Sequence, residues 1–179
     1  MELKLQVQTV KPTILLLSDD LTTNSGVATM SREIVVGTAD TFNWYQLGGS
    51  PDHPEKGKVA DLSAEVNAEL GINDANVRVL HWKGFGDQDI LRDLLLQLKP
   101  AAVMHFTDPR FWVWLYQMEQ EIRQICPLVY YAIWDDTPFP FYNADYYASC
   151  DMILGISKQS HNIHKHVLID SGIKVIERK

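Results

Sequence analysis

Short apolar runs of strand length alternate along this chain with stretches in which apolar residues recur every three or four positions. That alternation restricts the fold more than any other feature. Runs such as "TILLLS" (Thr13–Ser18), "AAVMHFTD" and "LVYYAIWDD" are nearly continuous in apolar character, as strands buried on both faces must be. Between them, Ile90, Leu91, Leu94, Leu95 and Leu98 mark one helix face after the capping residue Asp87. The pattern predicts an α/β domain, a Rossmann-like, doubly wound, mostly parallel sheet with helices on both faces.

The predicted order is as follows. Strand Thr13–Ser18 leads through a glycine loop to a helix from Val27 to Gly37, with Gly37 closing it in the left-handed conformation. Phe42–Gly49 is a strand, Ser50–Leu62 a surface excursion rich in Pro, Gly and charge, and "SAEVNAELGI" a short helix stopped by Gly71. Val77–Gly86 gives a strand and a loop. The helix after Asp87 ends at Pro100, and the next strand runs to Asp108. Asp108-Pro109 starts a helix whose inward face is Phe111, Leu115, Met118, Ile122 and Ile125. "LVYYAIWDD" and "MILGIS" are further strands, Ser157 caps a last helix reaching Gly172, and "IKVIERK" begins another strand. The opening "MELKLQVQTVKP" alternates like a strand and lacks the apolar core of a signal peptide.

At 179 residues the chain is read as a single domain, 1–179. A net charge of −7 supplies no global field toward nucleic acid or anionic membrane, and no apolar run approaches the roughly 20 residues of a membrane span. Two cysteines, Cys126 and Cys150, make no disulfide framework and fit buried thiols of a cytoplasmic protein.

In a sheet of this kind ligands bind beyond the carboxyl ends of the strands. Those ends carry Asp19-Asp20 with Ser25-Gly26, Gly48-Gly49, Gly84-Phe85-Gly86, Thr107-Asp108, Trp134-Asp135-Asp136 and Ser157-Lys158. The glycine before the first helix lets backbone amides approach an anion, but its spacing matches no phosphate-loop motif, so a plain turn and an anion site both stay open. "WDDTPFPFYNADYYASCD" pairs carboxylates with prolines and aromatics, as a rigid wall for a stacked ring would. Two adjacent aspartates point different ways, so one caps or pairs while the other faces the site. His105 inside its strand reads first as a hydrogen-bonded core residue. His161, His164 and His166 read as a solvated helix face rather than a metal site, for want of a carboxylate or Cys partner.

Four segments in this order resemble the N-terminal half of retaining nucleotide-sugar glycosyltransferases of the GT-B architecture, the group of glycogen and sucrose synthase relatives. They are "ILLLSDDLTTNSGVATMSREI", "LKPAAVMHFTDPR", "LVYYAIWDDTPF" and "SCDMILGISKQSHNIHKHVL". The resemblance implies one Rossmann-like half of a two-domain fold, completed by a C-terminal donor-binding half that this sequence does not contain. Its partners would be a nucleotide-sugar donor, as co-substrate rather than tightly bound cofactor, and a small-molecule or polymeric acceptor. It further implies that Ser25, Gly26 and Val27 lend backbone groups to the donor diphosphate. Thr107, Asp108, Trp134 and Asp136, with His105, would contact the acceptor. The chain has Trp134 and Thr107 where the family often has histidines, which leaves Asp135 as the catalytic candidate. A non-catalytic binding or scaffolding module that keeps the fold is the alternative, and a flavodoxin-like or nucleotide-binding domain of unrelated function a third.

Overall fold

The structure is a computed structural model and describes residues 11–176. Among the described residues, seven strands form one sheet in the order β3-β4-β2-β1-β5-β6-β7. They are β1 (Thr13–Asp19), β2 (Asn43–Ser50), β3 (Val59–Asp61), β4 (Val77–Lys83), β5 (Ala102–Phe106), β6 (Leu128–Ala132) and β7 (Met152–Gly155). All neighbours pair parallel except β3, which runs antiparallel to β4. The chain moves outward from β1 through β2 to β4, then returns to the other side of β1 as β5. The β1–β5 boundary is therefore the topological switch point, where a crevice opens beyond the strand ends.

The α-helices among the described residues are α1 (Gly26–Gly37), α2 (Ser63–Leu70), α3 (Gln88–Leu98), α4 (Val113–Gln117), α5 (Glu119–Arg123), α6 (Ala144–Ala148) and α7 (Lys158–Asp170). Leu15 and Leu17 point to one face, packing with Leu91 and Leu95 of α3, Leu115 of α4 and Ile122 of α5. Leu16 points to the other, against Val35 and Val36 of α1 and Val66 of α2. Three consecutive leucines at 0, 1 and 0% exposure show why the run is continuous rather than alternating. Each contributes about 1.5–3 kcal/mol of burial. A third cluster seats α6 and α7 against Tyr130 and Ala132 of β6. The doubly wound α/β architecture expected from the sequence is the one observed.

Local signals act as expected at several ends. Ser25 caps α1 by accepting from the Ala28 amide, Asp87 caps α3 through the Asp89 and Ile90 amides, and Ser157 caps α7 through Ser160. Gly71 closes α2 at φ 68°.

Others differ. Gly37 stays inside α1, and the helix ends at Thr38 without a left-handed residue (φ −132°). The excursion after β2 contains the edge strand β3. The helix expected from Asp108-Pro109 breaks into a 3₁₀ turn (Pro109–Phe111), α4 and α5, interrupted at Trp112 (φ −120°) and Met118 (φ −94°). These breaks keep Leu115, Met118 and Ile122 buried but turn Phe111 and Ile125 outward. Trp112 itself becomes fully buried core, and Phe111 stacks on Phe85 at 5.2 Å. Residues 173–176 form no strand, and the expected strands at residues 1–10 and 177–179 lie outside the described residues. Among the described residues no helix is long and apolar enough to cross a membrane.

His164 corrects the reading of α7 as solvated at all three histidines. His161 and His166 are exposed, but His164 is 3% exposed and packs edge-on against Tyr147 at 5.0 Å. Its two ring nitrogens have no hydrogen-bond partner among the described residues. Burial first, and the nearby His161 charge second, hold its pKa down to about 4 from 6.5. The unfolded chain takes up this proton before the folded one does. The stability His164 confers is thus full above pH 6.5 and is lost as pH falls through 4. His164→Leu removes two unpaired polar atoms. It is expected to leave stability at pH 7 unchanged or raise it by about 1 kcal/mol. It should also flatten the acid loss, read from urea midpoints at pH 7, 5 and 4.

Candidate functional site

Beyond the ends of β5 and β6 lies a cavity of about 230 Å³, lined by Asp108, Pro109, Tyr130, Ile133, Trp134, Asp135, Asp136 and Asn143. Asp108 caps the 3₁₀ turn by accepting from the Arg110 amide at 2.9 Å and also pairs with the Arg110 guanidinium. Burial pushes its carboxyl up, but these Arg110 contacts outweigh that and keep it ionised, below the usual carboxylate value. Arg110 in turn lies over the Tyr142 ring, and Trp134 meets Tyr142 edge-on at 5.8 Å. The Trp134 indole donates to the Asp136 carbonyl at 2.8 Å, so the aromatic wall is anchored to the carboxylate pair.

The pair divides its roles, as adjacent aspartates must. Asp136 accepts from the Thr137 amide, while Asp135 is held only through its carbonyl, by Gln159. The Asp135 carboxylate is exposed at the cavity rim with no hydrogen-bond partner among the described residues. Asn143 is 3% exposed on the cavity wall, and its Oδ1 also lacks a partner among the described residues. A buried amide oxygen left unpaired costs roughly 1–3 kcal/mol, which a ligand hydroxyl would recover. The cavity thus combines a stacking surface with acceptors for hydroxyl groups.

His105 and Thr107 are not lining residues. His105 is 0% exposed, stacked on Tyr130 at 5.2 Å and bonded through Nδ1 to the Tyr116 hydroxyl at 2.7 Å. Burial drives its pKa down to about 3, the Asp108 charge opposing, so the ring is neutral at physiological pH. Thr107 is buried and its carbonyl accepts from the Tyr130 hydroxyl, which fixes one wall of the cavity.

At the end of β1 the two carboxylates also separate. Asp19 accepts from the Ser25 hydroxyl at 2.7 Å, so a negative charge already lies beside the α1 N-terminus. Gly26 and Val27 open the helix, and a Cβ on Gly26 would meet nothing within 4 Å, which leaves that approach clear. Gln46 bridges beneath the loop, donating to Ser18 Oγ and the Asp19 carbonyl and accepting from the Leu21 amide.

Asp20 turns inward instead. It is 0% exposed, and its Oδ2 lies 2.6 Å from Nδ1 of His81 on β4. Oδ1 accepts from the Thr22 amide and hydroxyl at 2.8 and 2.7 Å. The His53 ring stacks on His81 at 3.9 Å. Burial raises the Asp20 carboxyl pKa, but the bonds from His81 and Thr22 overcome it and hold the group ionised. This cluster shares no residue with the cavity at β5 and β6. Sequence reasoning marked Asp20 but neither histidine. The one available signal was Gly48, which pairs with His81 in the sheet and stands against Asp20.

A Cβ at position 48 would come within 2.5 Å of Asp20 Oδ2. Gly48→Ala is therefore expected to cost about 1–3 kcal/mol in chemical denaturation. Gly26→Ala, with open space around it, should stay within about 0.5 kcal/mol of the parent. Comparison with known proteins gives no matching family model, no similar curated protein and no similar solved structure.

Proposed function

We propose that this domain is the acceptor-binding half of a nucleotide-sugar glycosyltransferase, and that the cavity beyond β5 and β6 receives the acceptor. The observation that carries the reading is the lining itself. Trp134 offers a ring of the kind that packs on a sugar, braced from outside the cavity by Tyr142, while Asp135 and Asn143 hold acceptor atoms without a partner among the described residues. Asp135 would accept the proton-bearing hydroxyl of the acceptor and align it. Ser25, Gly26 and Val27, at the start of α1, would lend backbone amides to the donor diphosphate. Transfer would need a donor-binding half, and Asp135 would act only in that complete enzyme.

A second reading, a binding module without catalysis, is favoured by one observation. His105, the histidine nearest this site in sequence, is fully buried and does not line the cavity.

Tryptophan fluorescence and amide NMR with a panel of oligosaccharides test the acceptor site. Binding is expected to perturb Trp134 and the Asp135–Asn143 segment. Trp134→Ala or Asn143→Ala should weaken it about tenfold, equivalent to ~1.4 kcal/mol, in variants whose circular dichroism matches that of the parent. Asp135→Asn in an enzyme that includes the donor half separates the two readings. A loss of turnover with retained acceptor binding supports catalysis, and unaltered turnover supports the binding module. Tight binding of a nucleotide sugar by these residues alone would contradict the half-enzyme reading.

A further inference from the structure

We propose that Asp20, His53 and His81 bind one divalent transition-metal ion of the zinc class, at a site distinct from the proposed acceptor cavity and independent of the sugar reading. One carboxylate oxygen and two imidazole nitrogens lie within 4.8 Å of one another. That ligand set suits zinc and its neighbours, whereas magnesium and calcium take oxygen ligands.

The site is built rather than a chance meeting of surface side chains. Asp20 and His81 are 0 and 2% exposed, and they come from the ends of strands β1 and β4 on either side of β2. The intervening strand makes room by carrying Gly48 where any side chain would strike the Asp20 carboxylate. Thr22 pins Oδ1 twice, which orients the carboxylate and leaves Oδ2 toward the histidine. His53 closes the cluster from the loop after β2. Its ring now stacks parallel on His81 within 9°, so it must turn about its Cβ–Cγ bond to bring Nε2 in plane with a shared ion, and that nitrogen is held only by a long 3.4 Å contact with Thr22 Oγ1.

In the metal-free protein a proton bridges Asp20 Oδ2 and His81 Nδ1 across 2.6 Å. The ion takes the place of that proton, which leaves to solvent, and the two atoms part to about 3.4 Å as each reaches the usual ~2.0–2.2 Å from a tetrahedral metal. His53 supplies Nε2. Its ring proton moves to Nδ1, and the contact that Nδ1 now accepts from the Glu55 amide at 3.1 Å is released. Three protein ligands leave a fourth position of a tetrahedral ion open, the arrangement of zinc sites that bind a water or a substrate atom rather than purely structural ones. His53 is half-buried and Thr22 exposed, so the cluster has access to solvent.

The test uses the chain stripped with chelator and titrated with Zn²⁺ by calorimetry and with Co²⁺ by visible absorption. The expected result is a single saturable site with a four-coordinate cobalt spectrum, and a melting temperature that rises with Zn²⁺. His53→Ala is the informative variant, because it leaves the buried Asp20–His81 pair in place and the fold intact. It should weaken binding at least a hundredfold while melting like the metal-free parent. A variant with His161→Ala and His166→Ala, removing the exposed histidines of α7, should bind as the parent does. Absence of one-to-one binding, survival of binding in His53→Ala, or its loss in the α7 variant would each overturn the proposal.

Discussion

Burial of β1 on both faces is the constraint from which the rest of this structure follows. Leu15, Leu16 and Leu17 are all removed from solvent, and successive side chains of a strand point to opposite sides of its sheet. One helical layer cannot cover both. α1 and α2 must lie on one face and α3 to α5 on the other, and crossovers of consistent hand then force the strand order to reverse at β1. A crevice at the switch point is the geometric result. Polar residues gather there because that is where the buried run ends.

The strand ends show how a low-dielectric interior sorts neighbouring charges. Asp19 and Asp20 are adjacent, as are Asp135 and Asp136, and in both pairs the members part company. Asp19 meets a helix cap, while Asp20 descends to a histidine two strands away. Asp136 ties down a turn, while Asp135 stays at a rim with its carboxylate unengaged. Alternation of the chain forces the divergence, and burial then demands partners for whichever carboxylate goes inward. Asp20 has three hydrogen bonds and needs them.

How much of this could be read from the residues depended on the range of the interaction. Strands, caps and glycine stops follow from neighbours within a few positions, and Ser25, Asp87, Ser157 and Gly71 act as their local chemistry requires. The helix after Asp108 had the right periodicity yet broke twice, because seating Trp112 in the core outweighed unbroken helical bonding. His164 read as one of three solvated histidines, and the docking of α6 onto α7 buried it against Tyr147. The aromatic and acidic segment from Trp134 was legible as a wall. The unpaired oxygen of Asn143 was not, since nothing nearby in the chain distinguishes it from an exposed amide.

By itself the sequence determined the class of fold, the position of the strand ends and the two acidic pairs that stand there, because periodicity and capping act over one or two turns of chain. Only the tertiary structure decided which of those ends meet. His81 is 61 residues from Asp20 and reaches it because β4 lies one strand beyond β2, a neighbour relation set by packing of both helical layers. The same packing withdrew His105 from solvent and set Trp134, Asp135 and Asn143 around one cavity. Contacts of that kind depend on how whole layers settle against the central strand, and no local pattern of residues encodes them.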